Sequence, residues 1–278
     1  MNNKKLTNKK YWNDIYEDMS SDDLVDKGPE NNVSWWRKNS SSYSNYLYSA
    51  FIEKHMPKEE GLSIVEVGSA PGDNMVSFKH KYNCVPYGIE YSKSGAEMNK
   101  RVFEKNGIPA DHVIEADFFD EEFQDKYRNY FDIVYSSGFI EHFSDPKDVV
   151  KKHINILKPG GTLIVSIPNF RYINFILKAF FNTSFIPTHN FELMDLIVFR
   201  ECFDFSDFNV NECGYKGSFA FPQPTYTPPW KRFIEKVLGK FQLLINMVFR
   251  MVFKGNGPES RFFSENLYCA GIKNIDNS

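Results

Sequence analysis

The sequence predicts an α/β fold: a mostly parallel, seven-stranded sheet flanked by helices, with an N-terminal helical cap and aromatic-rich helical insertions before and after the sixth strand. Three observations carry this. From Ser63 onward, short apolar runs closed by Gly, Asp or Glu alternate with helical stretches, the rhythm of consecutive strand-helix-strand units. The composition, 42% hydrophobic and 25% charged over 278 residues, suits one large or two small globular domains and excludes disordered, collagenous and disulfide-scaffold classes. Aromatic residues reach 17%, and 18 of the 27 Phe lie in the 109 residues after Asn169. An ordinary front half therefore precedes an apolar back half, whose rings must be hidden against a core, a greasy ligand, a partner or a membrane.

Taken in order, residues 1–60 are polar and helix-prone, with Gly28-Pro29 and Asn31-Asn32 marking a loop between two helical pieces. They are expected to form a cap or lid on a main domain spanning 61–278. The strands expected next are Ser63–Val67, Val85–Glu90, His112–Ala116, Phe131–Ser136 and Thr162–Ile167. Lys158-Pro-Gly-Gly161 is expected to end the helix that begins near Pro146. Past Pro168, aromatic helical material runs from 170 to 200. A strand follows near Asn209–Tyr215, then a Pro-rich bend from Pro222 to Trp230, a long helix, and a closing strand, Leu267–Ile272. The main domain thus divides into a core, 61–168, and appended elements, 169–278.

Formal charge is −3, which argues against a whole-surface trap for nucleic acid. The four Cys are widely spaced with no C-x-x-C pair, so neither a zinc site nor a disulfide framework is indicated and a reducing cytoplasm fits best. The N-terminus lacks the apolar run of a signal peptide, and no stretch of about 18 uncharged apolar residues could span a bilayer. The expectation is a cytoplasmic protein, either soluble or peripheral at a membrane.

In an open parallel sheet, ligands bind outside the carboxyl ends of the strands. Here those ends form a series. The first strand enters Glu66-Val-Gly-Ser-Ala-Pro-Gly72, where small residues (Gly68, Ser69, Gly72) let backbone N–H groups approach a ligand. Neither a Gly-Lys-Ser/Thr phosphate loop nor G-x-G-x-x-G is present. The second strand ends in Glu90, with Tyr91 behind it, a carboxylate able to accept two ribose hydroxyls. Asp117 and Phe118 follow the third strand, an acceptor beside a ring that could stack on a base. Ser136-Ser137 close the fourth. A Gly turn or a single strand-end acid is common as plain structure; the ordered set is not.

With these residues in view, 63–167 resembles the class I S-adenosylmethionine-dependent methyltransferases, a Rossmann-like family. The resemblance rests on Glu66–Gly72, Glu90, Asp117, the run Phe131-Asp-Ile-Val-Tyr-Ser-Ser-Gly-Phe-Ile-Glu-His142, and Lys158-Pro-Gly-Gly161. Ala70 stands where the family usually has its middle Gly. Lys10-Tyr-Trp-Asn-Asp-Ile-Tyr16 looks like the family's N-terminal segment that closes over the cofactor, although Trp12 could equally staple the cap to the sheet. Pro168-Asn-Phe170 and His189-Asn190 are similar to small bacterial methyltransferases of glycan and secondary-metabolite pathways. The resemblance implies S-adenosyl-L-methionine as cofactor, held by Trp12, Glu66, Gly68, Ser69, Gly72, Glu90, Tyr91, Asp117, Phe118, Ser136 and Ser137.

Methyl transfer from a sulfonium needs an aligned acceptor, exclusion of water and, for a hydroxyl, removal of a proton. His142 and His189 are the candidate bases, because an imidazole titrates near neutrality. Their alternatives are a structural or cofactor-contacting pair for Glu141-His142 and a backbone-bonded loop residue for His189. His55, His80, His112 and His153 are expected to be structural. Ser136-Ser137-Gly138 lacks the Asn/Asp-Pro-Pro-Tyr of amino-methylating DNA enzymes and the Pro-Cys of cytosine C5 enzymes. The Asp of ribose-methylating RNA enzymes and the acidic set of metal-dependent catechol enzymes are also missing, so no metal is expected.

The helix expected over 231–254 sets Lys231, Arg232, Lys236, Lys240, Arg250 and Lys254 against only Glu235, with Phe233, Phe241, Leu244 and Val248 near helical spacing. Such a helix can lie in a membrane interface, pack on the sheet or a second subunit as a homodimer, or cover a lipid-like acceptor. The leading expectation is O-methylation of a sugar, glycan precursor or secondary metabolite. A membrane-associated methyltransferase of a quinone or lipid-linked head group, and a non-catalytic cofactor-binding subunit, are the alternatives.

Overall fold

The computed structural model describes residues 4–18, 42–221, 229–255 and 257–275. The Gly28-Pro29 loop and most of the Pro-rich bend lie outside the described residues. Seven strands form one sheet: β1 (Ser63–Val67), β2 (Val85–Glu90), β3 (Val113–Glu115), β4 (Phe131–Ser137), β5 (Leu157–Pro168), β6 (Phe208–Lys216) and β7 (Asn266–Lys273). Their spatial order is β3-β2-β1-β4-β5-β7-β6. β1 lies between β2 and β4, parallel to both. Four of its five residues are buried, which is why Ser-Ile-Val-Glu-Val reads as a nearly continuous apolar run. β7 alone is reversed, antiparallel to β5 on one side and to β6 on the other. The sheet is therefore mostly parallel, as expected.

Helices α1 (Lys9–Asp18), α2 (Tyr43–His55), α3 (Asp73–Tyr82), α4 (Lys93–Lys105), α5 (Glu121–Lys126), α6 (Pro146–Ile156), α7 (Tyr172–Phe181), α8 (Leu196–Glu201) and α9 (Pro229–Phe253) surround it. Several start on side-chain caps: Ser92 accepts from Gly95 N, Asp120 from Glu122 N, and Asp145 from Asp148 N ahead of Pro146. On one face Phe51 and Ile52 of α2, Met75 of α3 and Phe103 of α4 cover Ile64, Ile133 and Tyr135. On the other, Val149, Val150 and Ile154 of α6, with Phe199 and Phe203, cover Val65, Val134 and Val165. Each fully buried side chain of this kind contributes about 1.5–3 kcal/mol.

Two differences from expectation bear on the site and the sheet, while β4, β6 and β7 depart from their expected ends by a single residue. His112 belongs to a 3-10 turn, Ala110–His112, so β3 is shorter than His112–Ala116 and leaves Ala116 and Asp117 beyond its end. Lys158-Pro-Gly-Gly161 does not end the helix, which stops at Ile156; it interrupts the pairing inside β5. Phe131 pairs with Leu157 and Ile133 with Thr162, so the four residues between bulge outward, with Gly160 at φ 79°. Among the described residues no helix is long and apolar enough to cross a membrane.

Candidate active site

The Gly-rich turn after β1 is tied to β2, because Gly68 and Ser69 donate their N–H groups to Ile89 O at 2.9 and 3.2 Å. Gly68 has φ 73°, and a Cβ there would meet Phe139 Cδ2 at 2.7 Å, so the turn demands glycine on both counts. The turn, the ends of β2 and β4 and the segment after β3 enclose a cavity of about 200 Å³. Of the residues expected at a cofactor site, Gly68, Glu90, Tyr91, Asp117, Phe118, Ser137 and Trp12 line it, as does His142. Glu90 is 5% exposed; its Oε1 accepts from Ser92 N at 2.8 Å, whereas Oε2 has one long contact, 3.4 Å from Ala70 N. Burial raises the Glu90 carboxyl above its ordinary pKa.

The remaining expected residues stand behind the wall rather than in it. Glu66 is buried, with Oε1 accepting from Asn74 Nδ2 at 2.7 Å, and burial pushes its carboxyl up to about 8. Ser69 accepts from the amide of Asn99, Gly72 opens α3 at φ 108°, and Ser136 is fully buried one residue short of the cavity. These four shape the turn and strand ends that hold the wall.

Lys5 and Thr7 also line this cavity, without any expectation from sequence, and so does Tyr16, the last residue of the segment expected to close over the cofactor. They belong to a strap across its mouth. Leu6 N donates to His142 O at 2.8 Å, Lys5 forms an antiparallel bridge with Phe143, and Tyr16 Oη donates to Ala70 O at 3.2 Å. Trp12 donates through Nε1 to Thr7 Oγ1 at 3.0 Å and sets its ring edgewise on His142, centroids 5.2 Å apart. Lys5 Nζ lies 2.6 Å from Asp117 Oδ2 and 4.6 Å from the centre of the Tyr91 ring.

A second cavity, about 390 Å³, opens beside the first. Its polar wall includes Asn169, Asn174, Lys178, Asn182, Glu265 and His189, and Tyr11 of the strap reaches it. Lys178 Nζ is 3.8 Å from the centre of the Phe170 ring, and burial lowers its pKa. Among the described residues no carboxylate pairs with it.

The two cavities meet at a pair of imidazoles. The rings of His142 and His189 are 4.5 Å apart, one lining each cavity. His142 Nδ1 lies 2.6 Å from Thr188 O and His189 Nδ1 lies 2.8 Å from Phe185 O. A carbonyl only accepts, so each Nδ1 carries the proton, and Nε2 of each neutral ring keeps a lone pair. Burial pushes His189 down to about 4 and lowers His142 as well, so both rings are neutral at physiological pH. Both candidate bases are thus brought together, and the expected structural role of His153, buried with Nδ1 on Val149 O, matches its place inside α6.

Residues 40–179, just over half of the chain, match the sequence model of a family described as "Methyltransferase domain". The chain is similar to the tRNA U34 carboxymethyltransferase of Desulfotalea psychrophila, 31% identical over 114 residues that make up 41% of this chain and 35% of that protein. It is also similar to the mitochondrial ubiquinone biosynthesis O-methyltransferase of Dictyostelium discoideum, 27% identical over 165 residues, 52% of this chain and 50% of the relative. The chain thus spans half or less of the length of these curated relatives. Among solved structures, geranyl diphosphate C-methyltransferase from Streptomyces coelicolor A3(2), crystallised with Mg2+, geranyl diphosphate and S-adenosyl-L-homocysteine, superposes with a TM-score of 0.54 at 14% identity, covering 95% of this chain and 97% of that one. At that identity the likeness is one of fold.

Proposed function

The chain belongs to the methyltransferase domain family, and on that premise we propose that it moves a methyl group from S-adenosyl-L-methionine to a hydroxyl of a small polar acceptor: a sugar, glycan precursor or secondary metabolite. The observation that carries this reading is the junction of the two cavities at His142 and His189, one cavity suited to the cofactor and the other polar.

The first cavity fits the cofactor. Glu90 Oε2, with only its 3.4 Å contact, keeps acceptor capacity for ribose hydroxyls. Tyr91, Phe118 and Phe119 offer ring faces and edges to a base, with Asp117 beside them. The strap supplies Trp12 and Tyr16 and excludes water. The cofactor contributes an activated sulfonium methyl. The chain's own work is to bring the acceptor to the junction, where Nε2 of His189 or His142 takes the hydroxyl proton as the nucleophile forms. Asn169, Asn174 and Lys178 orient the acceptor through hydrogen bonds, and the ammonium of Lys178 favours one that carries negative charge. On this reading residues 1–60 act as the lid-bearing segment, 61–168 as the cofactor core and 169–278 as the acceptor side. Isothermal titration with S-adenosylhomocysteine tests the premise: a saturable heat supports it, and none at millimolar ligand refutes it.

A second reading has an observation of its own. On α9, Phe233 is 72% exposed, and Phe241, Leu244 and Val248 are exposed with it. Lys236 and Lys240 share that helix, a combination suited to an anionic membrane surface and a lipid-linked or quinone acceptor. The side chains of Trp230, Lys231, Arg232 and Glu235 lie outside the described ones. Flotation with anionic liposomes tests it; protein left wholly in the dense fraction removes the membrane reading.

A further inference from the structure

Glu141, His142 and His189 place one ligating atom each within 4.8 Å of one another. Their surroundings are unusual, because two imidazoles and a buried carboxyl share one small volume. Nδ1–H of each imidazole is committed to a backbone carbonyl, Thr188 O or Phe185 O, which leaves Nε2 as the ligating atom of each ring. Glu141 is 1% exposed, and its Oε2 has no hydrogen-bond partner. Its Oε1 is 3.9 Å from His142 Nε2, too far for a proton shared between them to make a hydrogen bond. A buried carboxylate left so is costly unless it meets a cation.

The geometry points to a first-row divalent metal site, of the Zn2+ type, formed by Glu141, His142 and His189 at the junction of the two cavities. Two imidazoles and one carboxylate are a recurrent ligand set for Zn2+ with an open position. The backbone carbonyls on both Nδ1 atoms supply the outer hydrogen bonds that orient ligating histidines. Ligands on one tetrahedral ion at bonds of about 2.0 Å stand about 3.3 Å apart, so the trio must close by roughly an ångström, within reach of side-chain adjustment. This departs from the sequence expectation of no metal. The pair Glu141-His142 carries no ligand spacing by itself, and the third member is 47 residues further on. With an ion held here both Nε2 lone pairs are spent on it, and its charge, in place of an imidazole base, favours the ionised form of a hydroxyl bound beside it. That use rests on the methyl-transfer reading; the existence of the site does not.

The test is isothermal titration of Zn2+ into the full chain stripped with chelator, paired with the visible absorption of the Co2+ form. Expected are one ion per chain with a Kd on the order of 1 μM or tighter, and Co2+ bands typical of a low-coordinate site. Glu141→Gln and His189→Ala should each weaken Zn2+ binding by at least about a hundredfold, more than loss of a second-shell partner costs. Far-UV circular dichroism and a parallel S-adenosylhomocysteine titration check that the variants fold. Absence of Zn2+ uptake by the unaltered chain, or uptake unchanged in both folded variants, overturns the site. S-adenosylhomocysteine binding without Zn2+ binding would sink the metal site and leave the methyltransferase reading standing, and the converse result would do the reverse.

Discussion

The two cavities meet at one pair of rings yet are assembled in different ways. Apart from its strap, the first is lined by residues 67–143, delivered in sequence order by β1, β2, the end of β3 and β4. The second gathers Tyr11, the 168–189 stretch, Ala220 and Glu265-Asn266, drawn from both ends of the chain. A local series of strand ends shapes one cavity with little help, its strap aside, from the remainder of the protein. The other exists only once the insertions have folded over the sheet, so it can change while the first stays constant.

Substitutions that touch one cavity and spare the other would sharpen this contrast, and cross-talk would break it. The largest effect is expected at His189→Ala: turnover of an identified acceptor falls by about 10²–10⁴-fold, with S-adenosylhomocysteine affinity within about twofold of the parent by titration. Wild-type turnover would remove His189 from the chemistry. Glu90→Ala loses hydrogen bonds to a charged acceptor worth roughly 3 kcal/mol, so the cofactor Kd should rise about a hundredfold. An unchanged Kd would mean that the ribose is bound elsewhere.

A pH effect comes next. The Glu66 carboxyl is pushed up to about 8 in the folded chain by burial, above its usual 4.5. The folded state therefore holds the proton more tightly than the unfolded one. Stability from this group is complete below about pH 4.5 and is lost as pH rises toward 8. Glu66→Gln should flatten that decline by about 3–4 kcal/mol in urea titrations at pH 5 and 8; an unaltered slope would show that Glu66 stays ionised. Glu141, raised to about 8 by the same cause, leaves part of the slope in place. Lys178→Met should raise the KM for an anionic acceptor about tenfold with the cofactor Kd unchanged, and an unmoved KM would confine Lys178 to packing on Phe170. Least of all, Phe241→Ser at a position 56% exposed should move stability by no more than about 0.5 kcal/mol. A larger loss would reveal a packed partner for α9.

The same division governs how much could be read from the sequence. Glu90, Asp117 and Ser137 were legible because a strand end is a local event: an apolar run stops, a polar residue follows, and the parallel sheet sets all such stops on one edge. Glu66 and Ser136 sit in the same runs, but a strand's alternation turns their side chains behind the cavity wall, while Ser69 and Gly72 belong to the turn beyond β1, where Ser69 meets Asn99 and Gly72 opens α3; a motif does not say which face looks inward. Lys5 and Thr7 left no mark, since the start of the strap is held by isolated bonds to Phe143 and His142 far along the chain; Tyr16 was legible only as part of the Lys10–Tyr16 segment, without its bond to Ala70 O. Lys178 reads as the solvated side of an amphipathic helix until Phe170 and Phe185 are seen around it. The fold itself was legible throughout, apart from the short β3 and the bulge at Lys158–Gly161, where ladder pairing outweighs local turn chemistry.

The reversed direction of β7 has a bearing on how this protein can vary. Pro168 at the end of β5, Asn266 at the start of β7 and Lys216 at the end of β6 lie in one row of the sheet. The stretch 217–265, α9 included, therefore departs from the cavity edge and comes back to it. By contrast 169–207 leaves that edge and must cross to the far one to begin β6. A lengthened or shortened 217–265 would alter what hangs over the second cavity without shifting a single strand register, whereas the preceding insertion is bound by the span it must bridge. The sheet thus carries an interchangeable brim on one side of its ligand edge and a fixed one on the other.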